Sequence, residues 1–266
     1  MTRPHIRAPI PHLAPGDRSI AGATAHYLAR VLRLRANDAF VAFDPAEGDE
    51  ADAVVIHTDG ESMDVRFGPL RSGRVLPARG ILWIQGFAKA DKCDTIVRDA
   101  TELGATRIVI ARTSRSIVRL DDARAAARQT RWTRIAQEAA RQCGRSDAPA
   151  VDPLKPWNDA IASVGTDSGA NVGAAVDAGA DVDASALFCL WEHATEPLGP
   201  ALFEALAQGR PLAFACGPEG GLEDAEVDFA RARGWHAVSL GPLVLRTETV
   251  AGAVLGAVRV WSGLGG

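Results

Sequence analysis

Cysteine is scarce in this 266-residue chain, and none of Cys93, Cys143, Cys189 and Cys216 stands at C-x-x-C spacing or beside a histidine cluster. Zinc-binding and dithiol frameworks are thereby excluded, which leaves reduced, mostly buried thiols. The six histidines (His5, His12, His26, His57, His193, His236) never fall at H-x-x-x-H spacing, so no metal is expected. No run approaches the ~20 apolar residues of a membrane span. Met1 to Pro15 carries four prolines and no apolar core, unlike a secretory leader, and the chain is expected to be cytoplasmic. Neither G-x-G-x-x-G nor G-x-x-x-x-G-K-[ST] occurs, which argues against a nicotinamide oxidoreductase and a P-loop enzyme.

What is present is a soluble composition, 47% apolar and 23% charged, with a net charge of −4. The charge is unevenly spread. Residues 1–88 balance ten Arg against ten acids, residues 89–146 set thirteen Lys and Arg against seven acids, and residues 147–235 set four against fifteen. A basic middle in an acidic chain is a local patch that suits RNA phosphates; its alternative is an Arg-rich solvated helix face.

Residues 16–70 read as β-rich. Phe40–Phe43 and Ala53–Ile56 are short apolar runs, and Met63–Phe67 alternates at period two. A helix from Ala25 to Leu34 is expected to put Leu28, Val31 and Leu32 on one face. This suggests a small barrel with one helix, followed by a linker near residues 71–79. From Gly80 the pattern becomes strand-helix alternation, the signature of a parallel sheet covered on both faces. Strands are expected at 81–86, 107–111, 187–190, 212–215 and 237–240. Helices are expected at 91–103, 121–143, 199–208, 223–233 and 249–261. Gly165–Ser185, rich in Gly, Ala and Asp without a period, reads as a mobile insertion with no role in chemistry.

Two late corners stand out. Ala215-Cys216-Gly217-Pro218-Glu219-Gly220-Gly221-Leu222 and Leu240-Gly241-Pro242-Leu243-Val244-Leu245-Arg246-Thr247-Glu248-Thr249 each leave a strand, break at Gly and Pro, and enter a helix. Gly-rich backbone at the C-terminal end of a strand exposes N–H groups to a polar ligand. Acids at Glu223 and Asp224 make the first corner a poor phosphate site. Each corner alone can be a plain turn, with Thr247 or Thr249 a simple cap. Lys89, Lys92 and Arg115 follow two further sheet strands, where α/β folds bind ligands. Arg141 and Arg145 close a basic helix end.

With these segments, the chain resembles the RsmE-type ribosomal RNA methyltransferases of the SPOUT superfamily. The resemblance runs through His26–Arg35, Thr101-Glu102-Leu103-Gly104, Glu138–Arg145 and both corners, in order along nearly the whole chain. It implies an N-terminal PUA-like RNA-binding barrel (1–74) and a C-terminal α/β domain (75–266) with a parallel sheet and a deep trefoil knot. It also implies a homodimer, S-adenosylmethionine as cofactor, and N3 of a uridine in 16S ribosomal RNA of the small subunit as target.

The cofactor is then expected against Leu190, Trp191 and Glu192, against Gly217, Pro218, Glu219, Gly220 and Gly221, and against Leu240, Gly241, Leu245, Arg246 and Thr249. Arg246 is expected to steady a uracil gaining negative charge. Glu248 is either the proton acceptor or a brace for Arg246. RNA contacts are expected from Arg30, Arg33, Arg35, Lys89, Lys92, Arg115, Arg141 and Arg145. A methyltransferase acting on another base or a ribose, or a non-catalytic assembly protein, are the competing readings.

Overall fold

The computed structural model describes residues 6–59, 61–73, 80–89, 91–116, 121–164 and 185–262. By internal contacts the chain forms two units, Met1–Val75 with Ala140–Ala148, and Leu76–Ala139 with Pro149–Gly266. The segment Gly165–Ser185 falls, but for Ser185, outside the described residues.

The first unit is a six-stranded sheet of β1 (Arg7–Pro9), β2 (Gly16–Ala21), β3 (Ala39–Phe43), β4 (Asp49–Thr58), β5 (Ser62–Phe67) and β6 (Arg71–Ser72). Its hydrogen-bonded order is β1-β3-β4-β5-β2, with β6 on β4; only the β1–β3 pairing is parallel. Period-two burial explains these strands: Ala51, Ala53 and Val55 on β4 and Met63, Val65 and Phe67 on β5 face one core, while their neighbours face out. The expected helix at 25–34 lies three residues earlier and widens in its second half. α1 (Gly22–His26) runs into a π-type turn at Tyr27–Val31, where Leu32 N donates to Tyr27 O at 3.0 Å. Widening the turn rotates the face, so Ala25 and Leu28 are buried but Val31 is 62% exposed.

The second unit carries a wholly parallel sheet in the order β10-β8-β7-β12-β11-β13, with β9 on β8. Its strands are β7 (Ile81–Gly86), β8 (Arg107–Arg112), β9 (Ala150–Val151), β10 (Lys155–Pro156), β11 (Ala186–Leu190), β12 (Leu212–Cys216) and β13 (His236–Val238). The helices are α2 (Lys92–Glu102), α3 (Asp122–Cys143), α4 (Trp157–Ala162), α5 (Leu198–Ala207), α6 (Asp224–Arg231) and α7 (Thr247–Trp261). The last residues of α3 count with the first unit.

Continuous apolar runs make strands buried on both faces, and alternate residues feed two cores. Ile81, Trp83, Ile108, Phe188, Leu212 and Phe214 pack with α2, α3, α5 and α7. Leu82, Ile84, Val109, Cys189, Ala213 and Ala215 pack with α4 and α6. Phe214 stacks on Phe188 with ring centroids 5.5 Å apart and sits 6.0 Å from Trp83. Truncating such a ring costs about 3–5 kcal/mol. The central strands therefore hold the loops at their C-terminal ends on a stiff base. Among the described residues no helix is long and apolar enough to cross a membrane.

Candidate functional site

At the C-terminal ends of β12, β11 and β13 the two corners meet and wall one cavity of about 410 Å³, within the range of small-ligand pockets. Leu190, Trp191 and Glu192 form one side, and Gly217, Pro218, Glu219 and Gly221 another. Leu240, Gly241, Leu245 and Arg246 come from the second corner. Cys216, Val238, Ser239, Pro242, Leu243, Val244, Thr247 and Val250 also line it and are not among the expected contacts. Val238 and Val250 read as ordinary core residues in the sequence; Leu243 and Val244 lie within the motif but carry no polar signal.

Two expected cofactor contacts lie elsewhere. Gly220 is not on the cavity wall: a Cβ there would meet Arg115 Cβ at 3.1 Å, and Gly220 O accepts from Arg115 Nη1 at 2.9 Å. Its small size serves that packing. Thr249 is exposed in the first turn of α7, with its N–H donating to Arg246 O at 2.8 Å. By contrast, Gly221 has φ +71°, and a Cβ would lie 2.3 Å from Glu192 Oε1. Gly217 is equally confined, its absent Cβ 2.9 Å from Gly221 C.

The polar skeleton beneath the cavity is buried. Gln85, at the end of β7, donates to Gly217 O at 3.0 Å and to Thr247 Oγ1 at 2.9 Å, and Thr247 Oγ1 donates to Gly217 O at 2.8 Å. Burial pushes the Cys216 thiol up to about 12, with Thr247 pulling weakly the other way. It is a neutral wall group rather than a nucleophile. Glu223 and Glu226, at the acidic helix start that disfavours phosphate, form a capping box for α6, and Glu226 Oε1 accepts from Ser114 N at 2.8 Å.

Charge enters through Lys92, whose Nζ lies 3.3 Å from Glu219 Oε1 and 3.3 Å from Glu248 Oε2. Burial pulls its pKa down, but the carboxylates of Glu248 and Glu219 outweigh this and leave it raised. Glu219 is held low: partial burial pushes it up, but its own backbone N–H, that of Lys89 and the Lys92 charge together pull it down. Lys92, expected as an RNA contact, therefore lines the cavity. Arg246 is exposed, and its guanidinium has no ion pair among the described residues. Glu248 faces Lys92 rather than bracing Arg246.

Of the other expected RNA contacts, Lys89 and Arg115 are exposed in the second unit. In the first unit Arg30, Arg33 and Arg35 are exposed beside the π-type turn, and Arg33 adopts φ 56°. Arg141 is half-buried, bonded to the Tyr27 hydroxyl and 5.2 Å over its ring. Arg145 corrects the expectation: it is 2% exposed and clamped on Asp147 at 3.1 Å, so its charge closes the fold instead of facing a phosphate.

An adenosine-bearing ligand with a short charged tail fits these walls. The cavity offers apolar faces and a cradle that exists because Gly217 and Gly221 lack Cβ atoms, with the carboxylates of Glu192 and Glu219 on its wall. Such a fold and site define a methyltransferase of the RNA-modifying class. A family model of the RNA methyltransferase domain matches residues 76–259, and one of the RNA methyltransferase PUA domain matches residues 20–68. The chain belongs to this family of RNA methyltransferases, and within it groups with the ribosomal RNA small subunit methyltransferases E. It is 31% identical to the enzyme of that name from Mycobacterium bovis, over 91% of this chain and 85% of the relative. It is 29% identical to the one from Bacillus subtilis, over 90% and 88%. A crystal structure of the Neisseria gonorrhoeae enzyme of that name, bound to S-adenosyl methionine, shares the fold, with a TM-score of 0.79 at 24% identity over 96% of this chain and 97% of that one.

Proposed function

We propose that the chain methylates N3 of a specific uridine in 16S ribosomal RNA of the small subunit, using S-adenosylmethionine bound in the cavity between the two corners. The observation that carries this reading is the convergence of both corners on one pocket with the exposed Arg246 on its wall. The small-subunit function named for the relatives supports the RNA class. When bound, the cofactor supplies a methyl group on a sulfonium, an electrophile with a good leaving group.

The chain's own residues divide the work three ways. Backbone around Gly217, Gly221, Leu240 and Gly241 would hold the adenosine. Arg246 would place its guanidinium on the uracil and stabilise negative charge developing there. Glu248 would take the proton from N3. The target base must lie in a loop or be flipped out of its helix. Lys89 and Arg115 are suited to hold its flanking phosphates, and the arginines at 30, 33 and 35 of the first unit are suited to other phosphates of the RNA.

Three finer features belong to the same reading. The second unit is inferred to thread as a trefoil knot; β13 returning to β11 and α7 then packing on α2 support it. A homodimer is inferred from apolar side chains left in solvent, Leu243 at 77% and Val244 at 85% exposed, with Trp261 also exposed at the end of α7. Light scattering tests it. The site of action is inferred to be the cytoplasm, where the RNA is.

Reverse-transcription mapping of small-subunit RNA tests the activity. A methyl on N3 blocks the Watson–Crick face, so a polymerase stop present in wild-type cells should vanish on deletion of the protein. Purified protein with S-adenosylmethionine should restore it, and nucleoside mass spectrometry should identify N3-methyluridine. A ribose-methylated product, or no product, overturns the reading.

A further inference from the structure

Lys92 groups with the RNA contacts in the sequence because it follows a sheet strand in the basic middle of the chain. Its surroundings give it a different role. We propose that Lys92 is a positioning residue of the transfer site, the cation that gathers Glu219 and Glu248 into one ionised cluster and presents Glu248 to the substrate as a carboxylate. This rests on the reading of Glu248 as proton acceptor.

Geometry carries the proposal. Lys92 opens α2 and lines the cavity, and its Nζ is 3.3 Å from an oxygen of each acid. The two acids come from different corners, so one ammonium ties both together. Their nearest oxygens can be no further apart than twice that distance. Two carboxylates so close disfavour each other's ionisation unless a cation lies between them. Glu219 is fastened a second time, accepting from Lys89 N at 3.1 Å. Glu248 is not: its Oε2 is buried and makes no hydrogen bond with any described residue, so the ion pair with Lys92 is its close contact.

The surrounding charges do not replace Lys92. On the cavity wall stand Glu192 and Arg246. On α2, Asp91 precedes Lys92, and Asp94 is occupied by Arg131 at 2.6 Å and by the Trp132 indole N–H at 3.0 Å, both from α3. Across the first corner, Arg115 is spent on Gly220 O. Lys92 itself neither gives nor takes a proton. The proton leaving N3 goes to Glu248, and Lys92 remains an ammonium throughout.

Lys92→Met and Lys92→Arg test this in the full-length protein. In protein without cofactor, carbon-13 NMR of glutamate carboxyls should show one of the two acids titrating about one pH unit higher in Lys92→Met than in wild type, a tenfold change in proton affinity. With cofactor and RNA saturating, single-turnover rates at neutral pH should fall roughly tenfold or more, and the acid limb of the pH–rate profile should move up by the same interval. Lys92→Arg, which keeps the charge, should restore both to near wild type. RNA affinity and its salt dependence should change by less than about twofold, since one lost phosphate contact would flatten the salt slope by about one. Lys92→Gln serves as the uncharged variant if Lys92→Met does not fold. A pH-independent loss of rate, an unmoved carboxyl titration, or a flattened salt slope with an intact pH profile overturns the proposal. Glu248→Gln separates it from the reading beneath it. Full turnover in Glu248→Gln removes the proton-acceptor role. An inactive Glu248→Gln beside a Lys92→Met with a wild-type profile removes the Lys92 proposal alone.

Discussion

The side-chain amide of Gln85 donates to Thr247 Oγ1 at 2.9 Å, joining the end of β7 to the start of α7 across 162 positions of sequence. The same Nε2 reaches Gly86 O and Gly217 O at 3.0 Å each, and Gln85 Oε1 accepts from Trp83 Nε1 at 3.1 Å. Gln85 is fully buried, and of these partners Gly217 O also accepts from Thr247 Oγ1 at 2.8 Å. Gln85→Leu fills the space but leaves buried polar groups short of partners, at about 1–3 kcal/mol each. The melting temperature should fall, and S-adenosylmethionine should bind roughly tenfold more weakly, because both corners lose a shared anchor. Thr247→Val removes two links, the bond from Gln85 and the bond to Gly217 O, but leaves the Gln85 bonds to Gly86 O, Gly217 O and Trp83 in place and should do less. Scanning and titration calorimetry read the two effects separately. A lower melting temperature with unchanged cofactor affinity would make Gln85 a support of the sheet alone.

The neighbouring glycines of the first corner should respond differently. Gly221→Ala puts a Cβ against the Glu192 carboxylate at a left-handed φ of +71°, on the cavity wall. Backbone strain and that collision together should cost about 1–3 kcal/mol and weaken cofactor binding at least tenfold. Gly220→Ala meets Arg115 Cβ at 3.1 Å, outside the cavity, so the Arg115 segment must give by a few tenths of an ångström while the cavity wall stays in place. Its cofactor affinity should stay within about threefold of wild type. Equal losses in both variants, measured by titration calorimetry, would contradict the geometry.

The difference between those two glycines shows what the sequence can carry. Strand-helix alternation after Gly80 needs only local periodicity, and the parallel sheet follows from it. The two corners announce themselves through Gly and Pro at strand ends. Their spacing does not say which way a missing side chain would point, so Gly220 and Gly221 look equivalent until φ and neighbours are known. Arg145 misleads for a related reason. A basic residue in a basic stretch suggests a solvated or phosphate-binding face, but burial takes Arg145 out of reach, and for Lys92 the ion pairs with Glu219 and Glu248 come from partners distant in the chain that the stretch itself does not announce. Val31 leaves the expected face because its helix widens into a π-type turn at Tyr27, a departure from the 3.6-residue period that the periodicity presupposes.

Arg246 can be separated from cofactor binding. Its backbone carbonyl caps α7, accepting from Thr249 N and Val250 N, while its guanidinium is exposed. Arg246→Ala leaves that backbone cap in place. Cofactor affinity should therefore remain within a few-fold, while methyl transfer falls by about two to three orders of magnitude, the usual cost of losing one donor to a developing anion. Titration calorimetry and single-turnover assays check the split. A parallel fall in both would reassign Arg246 to holding the cofactor.

Away from the cavity, one ion cluster sets an acid limit on stability. Asp152 accepts from Arg107 Nη2 at 2.7 Å and Nε at 3.0 Å and from Lys155 Nζ at 2.9 Å, where Arg107 and Asp152 are both 11% exposed. Burial pushes the carboxyl up, but the bonds from Arg107 and Lys155 outweigh it and hold it below the ordinary aspartate value. The unfolded chain, with aspartate near its usual ~3.9, then binds this proton more tightly than the folded one. The stabilisation is accordingly complete above that value and disappears as the pH falls through the lower, folded-state pKa. Asp152→Asn deprives Arg107 of this carboxylate and should cost roughly 3 kcal/mol at pH 7, as breaking a largely buried pair does. The gap between variant and wild type should narrow steadily as the pH is lowered from about 5 toward 2. Urea unfolding across that range measures it. A gap that stays constant with pH would mean that the Asp152 side chain stabilises β8 and β10 through its shape and hydrogen bonds, with its charge contributing nothing.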